Sequence, residues 1–119
     1  KGNADKYPRL ITNKFNINTI TLNLQNEAKK VYVYWQNYLL PDQLVMVQPK
    51  NVLITIPAEA NSVERSYIRV SACNDYGVSN DILVPLEKGK VVETGSHNEL
   101  LAEKGLYYAM WRQQIGERK

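Results

Sequence analysis

From Asn16 to Leu86 the chain alternates apolar and polar residues with a period of two. In NINTITLNL, Ile20, Leu22 and Leu24 share one side, and Thr19, Thr21 and Asn23 the other. That is the pattern of a β-strand with one wet face. KKVYVYWQNYLL sets Val31, Val33 and Trp35 against a row of tyrosines, Tyr32, Tyr34 and Tyr38. NVLITIP groups Val52, Ile54 and Ile56; SYIRVSACN groups Ile68, Val70 and Ala72. QLVMVQ and SNDILVPL read as shorter strands, and AEANSVER as a loop. Turns are expected at Pro41-Asp42, at Pro49-Lys50-Asn51 and at Asp75-Tyr76-Gly77. NEAKK, the one helix-friendly piece here, is too short for a crossover. Six or seven short strands with a turn about every ten residues predict a mainly β fold, an antiparallel sandwich.

The texture changes at Glu87. EKGKVVE predicts a tight turn at Gly89 and a short strand at Val91-Val92. Ser96 precedes Glu99 by three residues, the spacing of a capping box, with Leu100 and Leu101 behind it. Gly105 suits the left-handed position that ends a helix. A second helix then carries Tyr107, Met110, Trp111 and Gln114 on one stripe, which needs an apolar surface to cover it. The expected organisation is a sandwich over residues 1–86 and a hairpin with two short helices over 87–119. The aromatic residues Tyr32, Tyr34, Tyr38, Tyr107 and Trp111 are the candidates for partner binding or for docking of the tail. Coverage of the tyrosine row by the tail helix is the favoured arrangement. An exposed row would instead stack on a carbohydrate or anchor a protein.

Chemistry narrows the picture mostly by exclusion. The net charge of +3 is spread out: nine Lys or Arg against seven acids up to Leu86, six against five after it. No basic stripe points to nucleic acid. No apolar run approaches the roughly 18 residues of a membrane span. No signal peptide is recognisable, and KGNADKYPRL reads as the start of a trimmed fragment. One cysteine, Cys73, allows no internal disulfide and reads as a small buried apolar residue. One cysteine and His97 do not make a metal site. A carboxylate-only calcium site would draw on Asp75 and Asp81 beside the Asp75-Tyr76-Gly77 turn, whose plainer reading is turn chemistry. No catalytic constellation or cofactor motif stands out, so the chain is expected not to be an enzyme and to need no cofactor.

YIRVSACNDYGVSN, with Ala72, Asn74, Gly77 and Ser79 in the spacing A-x-N-x-x-G-x-S, resembles the F strand and F–G turn of fibronectin type III and related immunoglobulin-like sandwiches. Tyr67 lies one residue out of phase with the corner tyrosine of that family, and Ser66 takes its place. Either a bulge shifts the register, or the chain follows another immunoglobulin-like pattern. The resemblance implies an accessory or interaction module of a larger, bacterial protein, working outside the cytoplasm beside a protein partner or a neighbouring domain.

ILVPLEKGKVVETGSHNELLAEKGLYYAMWRQQ, Ile82 to Gln114, resembles the C-terminal end of an ABC exporter nucleotide-binding domain. Glu93, Gly95, Ser96, His97, Glu99, Leu100 and Leu101 carry the match, followed by Gly105, Leu106 and Tyr107. Pro85 departs from it by interrupting a strand. This second resemblance implies a cytoplasmic location and an ATPase fragment that is inactive alone, because no G-x-x-x-x-G-K-[ST] phosphate loop occurs in the chain. A fusion of two parts, or a continuous fold whose tail packs on a sheet, reconciles the two resemblances. An unpaired tail helix would also allow a homodimer.

Overall fold

The computed structural model describes residues 4–36, 38–40, 45–46 and 51–117. The turns expected at Pro41-Asp42 and at Pro49-Lys50 lie outside them. Among the described residues nine strands follow in chain order: β1 (Arg9–Phe15), β2 (Thr19–Gln25), β3 (Lys30–Trp35), β4 (Tyr38–Leu39), β5 (Val45–Met46), β6 (Asn51–Thr55), β7 (Arg65–Cys73), β8 (Ile82–Glu87) and β9 (Lys90–Val91). Two α-helices close the chain, α1 (His97–Glu103) and α2 (Leu106–Glu117). All strand pairs among these residues are antiparallel. One sheet has the order β1-β2-β6; the other runs β4-β3-β7-β8-β9, with β5 also on β3. The mainly β sandwich with a short helical tail is therefore the architecture, as the alternation predicts.

The two sheets meet through the residues that alternation groups together. Ile20 and Leu22 of β2 and Val52 and Ile54 of β6 face Val31 and Val33 of β3, Ile68, Val70 and Ala72 of β7, and Val84 and Leu86 of β8. Each large apolar side chain so buried contributes roughly 1.5–3 kcal/mol.

One polar pair lies inside this core. Trp35 is 8% exposed and its indole N–H donates to Ser66 Oγ at 3.1 Å; Ser66 is 2% exposed. The register of β7 with both neighbours runs unbroken from Arg65 to Cys73, so no bulge shifts Tyr67 inward. Tyr67 points outward, and the serine at the inward position satisfies the tryptophan.

The A-x-N-x-x-G-x-S spacing is explained by one loop. Ser79 accepts from Ala72 N at its hydroxyl, 2.8 Å, and donates its own N–H to Ala72 O. Asn74 accepts from the N–H groups of Tyr76 and Gly77 and donates to the carbonyls of Lys6 and Glu27. A Cβ on Gly77 would sit 2.6 Å from the Tyr7 ring. Asn80, just beyond, clamps Leu10 at both N–H and C=O and so ties β1 to the larger sheet.

Several local expectations change. RLITNKF forms a strand that alternation does not reveal, because the register slips between Thr12 and Lys14. Part of the loop expected in AEANSVER is a 3-10 helix, Ala58–Ser62, with Ala60 buried. NEAKK forms no helix; Asn26 there has φ 68° and turns the chain. Gly89 has φ +78° and makes the turn expected of it. Cys73 is half-buried and faces outward beside Lys30 rather than filling the core. Asp75 pairs with Lys29 at 2.8 Å and Asp81 with Arg69 at 3.8 Å, so the two carboxylates serve separate cations. Both pairs are well exposed and add little stability.

Ser66→Ala leaves the Trp35 N–H buried without an acceptor. The expected loss is roughly 1–3 kcal/mol, read as a lower urea midpoint at an unchanged slope.

Candidate functional site

The tail starts on β8. Leu83 N donates to Gly95 O at 2.8 Å, and Gly95 N returns a bond to Leu83 O at 3.1 Å. Between this bridge and β9 the outer edge of β8 presents Pro85, whose missing N–H faces a gap in the ladder. Its carbonyl still accepts from Val92 N at 3.3 Å. Proline is tolerated there because no donor is required.

The expected capping box is present. Glu99 N donates to Ser96 Oγ at 3.2 Å and Ser96 N to Glu99 Oε1 at 2.9 Å. A Cβ on Gly95 would lie 2.9 Å from that carboxylate oxygen, so the glycine leaves it room. Leu100 is 1% exposed. The helix ends on Lys104, with φ 58°, and not on Gly105 as the sequence suggests. Gly105 has a different task. A Cβ there would come within 2.5 Å of Glu93 Oε1, while Glu93 Oε2 accepts from Tyr107 N at 2.9 Å. The glycine admits a carboxylate that caps α2 from outside the helix, where a negative charge is favoured. Glu93, Gly95, Ser96, Glu99 and Gly105 thus form one hydrogen-bonded and sterically matched unit.

An aromatic chain joins this unit to the sandwich. His97 Nδ1 lies 2.7 Å from the Tyr107 hydroxyl, and its ring meets Trp111 edge-on at 6.2 Å. Tyr107 meets Tyr67 of β7 edge-to-face, with centroids 5.9 Å apart. Tyr67, Leu83 and Pro85 stand on the outer face of the larger sheet, and the latter two are buried. Partial burial, and then the neighbouring Tyr67 hydroxyl, raise the Tyr107 pKa above the ordinary tyrosine value.

The tyrosine row is arranged differently from the expectation. Tyr32 and Tyr34 share the outer face of β3, half-buried, with rings 6.4 Å apart and 19° from parallel. The Arg69 guanidinium covers Tyr34 at 4.3 Å. Tyr38 is not in that row. It pairs with Trp35 across a tight turn at Gln36, φ 48°, and stacks on the tryptophan at 6.5 Å. The turn resets the alternation that the sequence count carried through. Tyr107 and Trp111 both meet His97, and Tyr107 lands on Tyr67 rather than over Tyr32 and Tyr34. The bridge at Gly95 holds the tail beside β8, which puts its reach over β7 and β8. Tyr67 is the docking residue that sequence reasoning missed; its outward phase was the available signal. Among the described residues no three His, Cys, Asp or Glu side chains gather as a metal site, and no helix is long and apolar enough to cross a membrane.

No family model matches the chain, and no solved structure matches it. Short matches occur among curated proteins. Heavy metal tolerance factor 1 of Caenorhabditis elegans is 45% identical over 42 residues, 35% of this chain and 5% of that protein. The ATP-dependent lipid A-core flippase of Wigglesworthia glossinidia brevipalpis is 42% identical over 38 residues, 32% and 6% of the two chains. The multidrug resistance-like ATP-binding protein MdlB of Buchnera aphidicola is 45% identical over 38 residues, 32% and 7%. The chain therefore spans only a small part of these relatives' length. The matches bear out the resemblance of one segment to the ATP-binding proteins of ABC exporters. They also speak against the expectation that the chain is not an enzyme: the segment it shares is found in an ATP-dependent flippase and in ABC transporter ATP-binding proteins.

Two outcomes test the docked tail. Leu100→Ala is expected to cost about 2–5 kcal/mol of packing under the tail, seen as faster amide exchange across α1 and α2. The raised Tyr107 pKa means that the folded chain holds this proton more tightly than the unfolded one, whose tyrosine titrates near ~10. Its contribution is full below that pH and is lost as pH rises through the folded-state value. Tyr107→Phe should flatten this part of the alkaline fall in melting temperature.

Proposed function

We propose that residues 82–114 correspond to the C-terminal part of an ABC-type ATP-binding domain, and that the chain serves a transporter ATPase. The carrying observation is the overlap of two sets. The residues of the E-x-G-S-H-x-E-L-L run are those that cap the helices and seat them on β8. On this reading the segment acts by bracing its domain through those bonds. The phosphate-cradling loop G-x-x-x-x-G-K-[ST] does not occur in these 119 residues, so contact with ATP falls to other parts of the assembly.

The sandwich of residues 1–86 is, on this reading, the module that carries the tail. We assign it to the immunoglobulin or fibronectin type III kind on the A-x-N-x-x-G-x-S loop and on the strand order, three strands facing the sheet built around β3, β7 and β8.

The test is magnesium-dependent ATP turnover by the parent protein. Glu93→Ala and Leu100→Ala should each lower the rate by loosening the brace, with the nucleotide KM little changed. A parent protein that neither binds nor hydrolyses ATP would sink the proposal.

A further inference from the structure

The outer face of the three-stranded sheet carries a groove of about 470 Å³, lined by Lys14, Phe15, Asn16, Thr19, Thr21 and Leu53. Its size falls among those of small-molecule sites. Strand pairing explains its composition. Lys14 of β1 is the partner of Thr21 of β2, and Thr21 is the partner of Leu53 of β6. Paired residues share a face, so an ammonium, a hydroxyl and an isobutyl group stand in one row across the sheet. Two strand spacings of about 4.8 Å separate the ends of that row, roughly 10 Å. Leu53 is 64% exposed at the apolar end.

The polar groups of the groove are donors without partners. Asn16 Oδ1 accepts from the N–H groups of Asn18 and Thr19 and from the Thr19 hydroxyl. Those three bonds fix the amide and leave its NH₂ group free. Neither the Lys14 ammonium nor the Thr21 hydroxyl has a hydrogen bond or an ion pair among the described residues. The chain has twelve acids, yet none lies in β1, β2 or β6, whose only charges are Arg9 and Lys14. No carboxylate of this sheet competes for the lysine.

We infer that the row is a binding site for a small amphipathic monocarboxylate, with its head at Lys14 and Asn16 and its apolar body over Thr21 against Leu53. A charged head gains charge-assisted hydrogen bonds from the ammonium and the amide. A single lysine matches a single negative charge. The apolar body covers a leucine that water otherwise meets. One exposed ion pair and one apolar wall keep the affinity low, so selectivity identifies the site. This inference is independent of the ATPase reading.

The test is a titration of the full chain with hexanoate, hexanol and acetate, followed by backbone amide chemical shifts. Hexanoate should give saturating shifts at Lys14, Asn16, Thr21 and Leu53. Hexanol should bind there more weakly by roughly two- to fivefold, the contribution of one exposed ion pair. Lys14→Glu should remove the preference for hexanoate over hexanol, and Lys14→Arg should keep it. Leu53→Ala should weaken hexanoate and hexanol alike and leave acetate unchanged. Both positions are exposed, so the melting temperature should stay the same in all three variants. Equal binding of hexanoate and hexanol overturns the proposal. So does a preference that survives Lys14→Glu, an absence of saturation, or shifts that gather at His97, Tyr107 and Trp111 instead.

Discussion

β8 is buried on both faces, and the rest of the molecule depends on that. Ile82, Val84 and Leu86 enter the core between the sheets, while Leu83 and Pro85 lie under the tail. A strand apolar on both sides cannot border water. Without the tail, its outer face would join Tyr67 as an exposed apolar patch on the larger sheet. The tail in turn is too small to hold itself together. α1 has seven residues, well short of the ~12–15 at which isolated helices become marginal. Sandwich and tail therefore stabilise each other through one strand.

Such a small appendage relies on satisfied ends. A short helix leaves most of its terminal N–H and C=O groups without partners. Here Ser96, Glu99 and Glu93 meet the donors, and Lys104 turns the chain so that its own N–H bonds back to Leu100 O. The two glycines of the motif keep space for carboxylates and are not needed for a left-handed backbone. The same logic rules the sandwich. Ser66 answers the one buried indole, and Asn74 and Asn80 tie backbone groups that no strand pairs. Polar side chains act at the places where the ladders stop. That division explains why the shared tail motif is mostly polar although its work is structural.

Alternation alone determined the strands β2, β3, β6 and β7, their inward residues, and hence the sandwich; period two survives within a strand because side chains must take opposite sides. The capping box was equally legible, since its partners lie three residues apart. Tertiary structure decided what distance in sequence hides. A register slip concealed β1. The Gln36 turn moved Tyr38 from the tyrosine row to Trp35. A carboxylate two residues before Gly95, at Glu93, and not the backbone, explained Gly105. The landing of Tyr107 on Tyr67 followed from the short reach beyond the Gly95 bridge. Local patterns record which side of an element is dry; only the closed chain settles which other surface dries it.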